Sequence, residues 1–103
     1  MKKNEFLKKI RIDNGLSRSK IAKILDVSPV TIERYENNKT DFNASTKYIQ
    51  GICALYGYNP EIFNYEEIDD NLIKKYKLSK KEAESKKEKI ERNTLLYEIK
   101  RIS

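Results

Sequence analysis

The side chains of this 103-residue sequence that could do chemistry lie in the stretch ILDVSPVTIERYENN. Ser28 and Pro29 predict the start of a helix, because serine caps helix N-termini and proline is tolerated at the first helical position. On that helix Val30 shares the polar face with Arg34 and Asn37. A valine beside an arginine can contact base-pair edges, the valine through a thymine methyl group and the arginine through paired hydrogen bonds to guanine. An ordinary exposed valine, or one covered by another part of the chain, would also fit this pattern.

Catalytic and metal-binding chemistry has little support in this sequence. It contains no histidine, which excludes histidine acid–base catalysis, Ser-His-Asp triads and most zinc sites. A cluster of four carboxylates could in principle hold a hard cation, but the simpler explanation is that the helix dipole favours acidic residues in a first helical turn. The cluster consists of Glu66, Glu67, Asp69 and Asp70. The three glycines are scattered rather than forming a phosphate loop, and the single cysteine allows no intrachain disulfide. We therefore predict no enzyme, no cofactor and no metal site.

The composition indicates one small domain with an appendage. Hydrophobic residues make up 38% and charged residues 37% of the chain, so that the core cannot be large. The net charge of +6 suits a polyanionic partner, or it serves only solubility. No apolar run approaches the ~20 residues needed to span a bilayer, and the basic N-terminal stretch lacks an apolar signal core. The sequence thus predicts a cytoplasmic protein without a membrane partner.

The spacing of apolar residues, together with capping residues, predicts five short helices, then a helical stripe at Ile68, Leu72 and Tyr76, and then a long helix. The short helices cover about residues 3–13, 18–25, 29–36, 46–56 and 60–63. The composition shifts near residue 64, and the capping-box pattern SKKE precedes a helix predicted over about 80–101. The predicted fold is therefore all-α. Residues 1–64 form a domain, and residues 65–103 form a charged helical extension.

Two short helices joined by a break of a few residues are the plan of a helix-turn-helix. The stretch LSRSKIAKILDVSPVTIERYENNKT, residues 16–40, resembles Cro/C1-type (Xre-like) regulators, and the resemblance extends over about residues 3–64. The residues that match the family pattern are Ala22, Leu25, Val27, Ser28, Thr31, Ile32, Glu36 and Lys39. The sequence departs from the pattern at Asp26 and Asn38, where glycine is usual, at Arg18, where glutamine is frequent, and at Phe42, where proline is common. The resemblance implies a five-helix, lambda repressor-like domain.

The resemblance also implies which residues contact DNA. In family members the outer face of the second motif helix enters the major groove, and here that face carries the expected base contacts Pro29, Val30, Glu33 and Arg34. Phosphate contacts are expected from the helix ends and loops. These residues are Ser17, Arg18, Ser19, Ser28, Asn37, Lys39 and Thr40.

One such domain makes a small interface, so that members of this family usually bind two half-sites as dimers. The first candidate dimerisation surface is the fifth-helix region, with Tyr58, Ile62 and Phe63. The second lies near the end of the extension and consists of Leu95, Leu96, Ile99 and Ile102. These four aliphatic residues can instead fold back onto the protein's own domain, because a lone helix would leave them exposed.

The function that the resemblance implies is sequence-specific binding of double-stranded DNA by a transcriptional regulator. We expect a repressor that binds its operator as a homodimer, of the kind that controls phages, mobile elements or restriction–modification systems. The alternative is an antitoxin-like module that binds a protein partner through the extension and autoregulates its operon. An extension that orders only with a partner would favour the alternative.

Overall fold

The computed structural model describes the backbone of residues 1–102 and the side chains of residues 1–92. In this part of the chain the helices are α1 (Lys3–Asp13), α2 (Arg18–Leu25), α3 (Pro29–Glu36), α4 (Lys47–Tyr56), a 3-10 helix (Pro60–Asn64), α5 (Asp70–Tyr76) and α6 (Lys80–Ile102). The all-α prediction is therefore confirmed. No helix among these residues combines the length and the apolar character needed to cross a bilayer.

Capping groups set the starts of the two motif helices. The Ser17 hydroxyl accepts a hydrogen bond from the Lys20 amide of α2 at 3.1 Å, and the Ser28 hydroxyl accepts one from the Val30 amide of α3 at 3.3 Å. Asp26, which ends α2, has a left-handed φ of 54°. Aspartate tolerates this conformation better than most residues, so the tight turn between α2 and α3 forms without the usual glycine.

The core lies between α1, α2, α3, α4 and the 3-10 helix. Leu7, Ile21 and Ile49 are fully buried there. Ile32 of α3 is also fully buried, and the Tyr35 ring lies 5.3 Å from the Phe42 ring. The prediction that Ile32 and Tyr35 face inward is confirmed. Because that face of α3 is buried, the opposite face is left for solvent.

The fifth-helix region does not offer the dimerisation surface that the sequence suggested. Ile62 and Phe63 have no exposed surface, and the Phe63 ring lies 5.6 Å from the Phe6 ring inside the core. The prediction that these two side chains form a dimer contact is wrong, because they complete the core of their own chain. Tyr58 is half-buried and packs edge-to-face on Phe6, with 5.5 Å between the rings.

The residues that follow position 64 are joined to the body by backbone hydrogen bonds. The Ile68 amide donates to the Met1 carbonyl at 2.7 Å, and the Leu78 amide donates to the Gly57 carbonyl at 2.8 Å. Ile68 is 2% exposed and belongs to the hydrophobic core. The first part of the predicted extension therefore contributes to the same core as residues 1–64.

Helix α6 packs antiparallel to α4. Ser79 caps its start by accepting a hydrogen bond from the Glu82 amide at 3.3 Å. Ala83 lies against Gly57 at the end of α4, and Ile90 further along α6 packs on the core. Since a helix rises about 1.5 Å per residue, the 23 residues of α6 continue past the 10 residues of α4. The aliphatic residues Leu95, Leu96, Ile99 and Ile102 lie outside the residues whose side chains are described.

Candidate nucleic-acid interface

The outer face of α3 carries the side chains predicted to contact bases. Val30 is 57% exposed, so that no described part of the chain covers it. Pro29, Glu33 and Arg34 are also exposed. The structure therefore places all four predicted residues on one surface, opposite the buried Ile32.

Arg34 is not engaged by the side chains that the structure describes. No ion pair joins its guanidinium to Glu33 or to another carboxylate within residues 1–92, although its backbone carbonyl accepts a hydrogen bond from the Lys39 amide at 2.8 Å. An arginine carries five N–H donors in a planar fork that matches the two acceptors of guanine. The surface of α3 thus combines unpaired donors at Arg34 with an apolar contact at Val30.

The residues that are predicted to contact phosphates form two sets, one at each end of the motif sequence. At the start of α2, Ser17 and Ser19 are exposed; after α3, Lys39 and Thr40 are exposed, together with Asn37. Ser28 is exposed as well, with its hydroxyl holding the start of α3 as described above. All of these side chains are exposed and can meet a DNA backbone from outside.

Arg18 connects these two sets, because its Nε donates to Oε1 of Glu36 at 3.1 Å. Arg18 is the first residue of α2 and Glu36 the last residue of α3. The bond therefore fixes the start of one helix beside the end of the other. The sequence predicted a phosphate contact at Arg18 but not its contact with Glu36.

A buried ion pair between Arg11 and Glu36 was missed by the sequence analysis. Arg11 donates through Nε to Oε2 at 2.7 Å and through a terminal nitrogen to Oε1 at 2.9 Å. These hydrogen bonds raise the pKa of Arg11 further above its ordinary value. Removing one partner of such a pair costs about 3–5 kcal/mol, because the other charge is left buried. The sequence does contain a signal for this ion pair. Glu36 lies four residues after Ile32 and therefore on the inward face of α3, where a buried carboxylate needs a cation as its partner.

A second buried cation, Lys3, holds the loop after α3. Its ammonium donates to the Phe42 carbonyl at 2.6 Å and to the Asp41 carboxylate at 2.9 Å. It also lies 4.8 Å from the centre of the Phe42 ring. The bond from Lys3 lowers the pKa of Asp41 below its ordinary value. The position could have been found from its spacing, because Lys3 lies four residues before the core residue Leu7.

Most of the acidic residues weighed as a cation site have partners elsewhere in the protein. The Asp69 carboxylate accepts a hydrogen bond from the Leu72 amide at 2.9 Å and caps α5. Asp70 lies in the first turn of that helix. Glu66 lies 3.4 Å from the Lys3 ammonium. These contacts give Glu66 and Asp69 structural roles, and the position of Asp70 is one that the helix dipole favours.

Comparison with known proteins agrees with this geometry. The model of a family described as helix-turn-helix matches residues 7–63, more than half of the chain. The match begins within α1 and ends within the 3-10 helix, so that it includes the whole of α2 and α3. Neither the curated proteins nor the solved structures gave a match.

Proposed function

The chain belongs to the Cro/C1-type helix-turn-helix family of DNA-binding transcriptional regulators, and on that premise we propose that it is a repressor that binds a specific operator as a homodimer. The observation that carries the proposal is the outer face of α3. That face presents Val30 at 57% exposure and an Arg34 guanidinium that no described carboxylate occupies. Apolar groups and free guanidinium donors are what base-edge recognition requires.

In the proposed complex, α3 lies in the major groove. Arg34 donates two hydrogen bonds to O6 and N7 of a guanine, while Val30 contacts a thymine methyl group. Glu33 can accept from a cytosine amino group, and Pro29 adds an apolar contact at the start of the helix. Each well-formed pair discriminates against the wrong base by roughly 1–3 kcal/mol.

Contacts to the DNA backbone hold α3 in this position. The proposed contacts come from both ends of the motif, through Ser17, Arg18, Ser19, Ser28, Asn37, Lys39 and Thr40. They carry no sequence information directly, but they set the register of the protein on the duplex. The net charge of +6 adds an attraction that depends strongly on salt.

We further propose that two copies bind half-sites about 34 Å apart, one turn of the double helix. With Ile62 and Phe63 buried, dimerisation is assigned to the aliphatic residues near the end of α6. Leu95, Leu96, Ile99 and Ile102 recur there at helical spacing. Repression follows where such a site overlaps a promoter, as in the control of a phage, a mobile element or a restriction–modification system.

A fluorescence anisotropy titration at about 0.15 M salt tests the proposal. The two probes are a duplex from upstream of the protein's own gene and a scrambled duplex of equal length and composition. A specific regulator prefers its site by a factor on the order of 10³ or more. Equal affinity for the two probes would contradict recognition of this upstream duplex. If sites enriched from a random duplex library were also bound no more tightly than the scrambled duplex, operator recognition itself would be contradicted.

A further inference from the structure

Three charged side chains meet where α2 begins and α3 ends. Oε1 of Glu36 accepts hydrogen bonds from Arg11 at 2.9 Å and from Nε of Arg18 at 3.1 Å, and Oε2 accepts from Arg11 at 2.7 Å. The side chain of Glu36 has no exposed surface, whereas that of Arg18 is 33% exposed. The cluster therefore has a buried centre and one side that reaches solvent through Arg18.

The charges of this cluster do not balance, because two guanidinium groups share one carboxylate. Arg11 uses two nitrogens on Glu36 and donates with the third to the Leu16 carbonyl at 2.8 Å. Arg18 uses only Nε within the part of the chain whose side chains are described. Its two terminal nitrogens keep four N–H donors for a partner outside the protein. An anion at that position would complete the cluster.

The location of Arg18 identifies the class of anion. It is the first residue of α2, next to the exposed Ser17 and Ser19, and Glu36 leads directly into the exposed Asn37. These are residues that the proposed complex places against the DNA backbone. A guanidinium is suited to such a site, since its fork can bind a carboxylate on one edge and a phosphate on the other.

We propose that Arg18 is a positioning residue that binds one DNA phosphate with its terminal nitrogens while Glu36 holds its Nε. This inference rests on the proposed function. Because Glu36 ends α3, the phosphate is linked through Arg18 to the helix that carries Arg34. The contact then fixes the orientation of α3 as well as adding affinity. The exposed Lys39 supplies charge on a flexible stem, and none of the described side chains holds its ammonium.

The test compares Arg18→Gln and Arg18→Lys with the control Lys39→Gln in the full chain. Binding to the specific duplex and to the scrambled duplex is measured over a series of salt concentrations, and thermal unfolding checks that each variant is folded. Arg18→Gln should reduce the slope of log affinity against log salt by about 0.9, the value for one lost phosphate contact. It should weaken binding to the specific duplex roughly tenfold or more. It should weaken binding to the scrambled duplex less.

Arg18→Lys separates charge from position. A lysine keeps the positive charge, so that the salt slope should stay close to the wild-type value. Its ammonium cannot bind Glu36 and a phosphate along two edges, so that the preference for the specific duplex should still fall. Lys39→Gln should reduce the slope by a similar amount and weaken both duplexes by the same factor. Arg18→Lys also serves as the test if Arg18→Gln does not fold.

Two results would overturn the inference. An unchanged salt slope in Arg18→Gln would mean that Arg18 does not meet a phosphate. Equal weakening of both duplexes, as in Lys39→Gln, would leave Arg18 as a surface charge without a positioning role. If the wild type itself shows no preference for any duplex, the proposed operator function fails together with the positioning role. The salt slope on the scrambled duplex then decides separately whether Arg18 meets a phosphate.

A chemical change in the DNA locates the contact. Methylphosphonate linkages, which carry no charge, are introduced one at a time along the specific duplex. One position should weaken wild-type binding and have little effect on Arg18→Gln, because the partner is already lost there. A set of positions that affects both proteins equally would contradict the assignment of a phosphate to Arg18.

Discussion

At the scale of single residues, the proposed function depends on side chains that the fold leaves unpaired. Several charged groups near the motif have partners: Arg11 and Arg18 bind Glu36, and Lys3 binds Asp41. Arg34 has no such partner among the described side chains and projects from an exposed face. An unpaired guanidinium on that face can form hydrogen bonds with a base without first breaking a contact within the protein.

Arg34→Ala tests the base contact at this scale. We expect the preference for the specific duplex to fall by roughly 1–3 kcal/mol, since a bidentate contact with guanine contributes about that much discrimination. Thermal stability should change little, because the side chain is exposed and unpaired. The measurement is anisotropy on both duplexes, and Lys39→Gln is the control that should weaken both by one factor. A full preference retained by Arg34→Ala would contradict its assignment to a base.

Asp41→Asn tests a pH dependence that follows from one ion pair. The bond from Lys3 lowers the pKa of Asp41 in the folded protein, so that the folded state favours the ionised carboxylate. This contribution to stability is fully present above the ordinary carboxylate range and is lost as pH falls below about 4 through the lowered folded value. Asp41→Asn should therefore lose a part of the acid dependence of unfolding.

Urea unfolding between about pH 2 and 7 measures this effect. The expected result is that wild type and Asp41→Asn converge in stability toward the acid end of the range. Asp13→Asn provides a control, because the ion pair of Asp13 with Lys9 joins residues within α1 and does not involve the loop after α3. Parallel pH profiles of wild type and Asp41→Asn would show that the bond with Lys3 does not contribute.

At the scale of elements, glycine at the end of α4 allows α6 to pack closely. Gly57 has a φ of +78°, and a Cβ at this position would lie 3.1 Å from Cβ of Ala83. Two features of the structure therefore favour glycine at position 57: the left-handed turn that ends α4, and the close approach of α6. Gly15 after α1 has a φ of +69° with nothing near its missing Cβ, so that only the first reason applies.

The pair Gly57→Ala and Gly15→Ala separates these two effects. Gly15→Ala should lower the free energy of unfolding by about 1–2 kcal/mol, the cost of a left-handed conformation for a residue with Cβ. Gly57→Ala should lower the free energy of unfolding by a larger amount, because α6 must also move away from α4 or the close contact with Ala83 must be tolerated. Chemical denaturation of both variants gives the difference. Equal costs would mean that the packing of α6 at Ala83 is loose.

At the scale of the whole molecule, the position of α6 determines which surfaces remain for the proposed dimer. Its first part lies on α4 and buries Ile90 in part, while its backbone continues beyond the start of α4. The described portion of the extension is thus part of the monomer body. The dimerisation proposed above therefore depends on the last turns of α6.

A double substitution in the full chain tests this dimerisation. Leu95→Asp together with Ile99→Asp should convert a dimer into a monomer, because two carboxylates would have to be buried in the proposed contact. Ser85→Asp together with Lys89→Asp is the control, placed with the same spacing at exposed positions of α6. Sedimentation velocity over a range of concentrations measures both. An unchanged dimer in the first variant would move the interface to the body, where Tyr58 remains a candidate.

The sequence by itself determined the helices and the turn between α2 and α3. Caps at Ser17 and Ser28, proline at the first position of α3 and the spacing of Ile32 and Tyr35 all act within a few residues. Such signals are readable because the partner of each group lies in the same or the next helical turn. They were enough to predict the all-α fold and to place Val30 and Arg34 together on the outer face of α3.

Only the tertiary structure decided which side chains are buried and which charges meet. Arg11 and Glu36 are 25 residues apart in the chain, and their contact depends on how α1 and α3 pack, which no local pattern contains. For the same reason the apolar spacing of Ile62 and Phe63 could not distinguish a core from a dimer surface. The long-range packing that buried those two side chains also joined Arg18 to the end of α3, because burial and ion pairing depend on neighbours in space rather than in sequence.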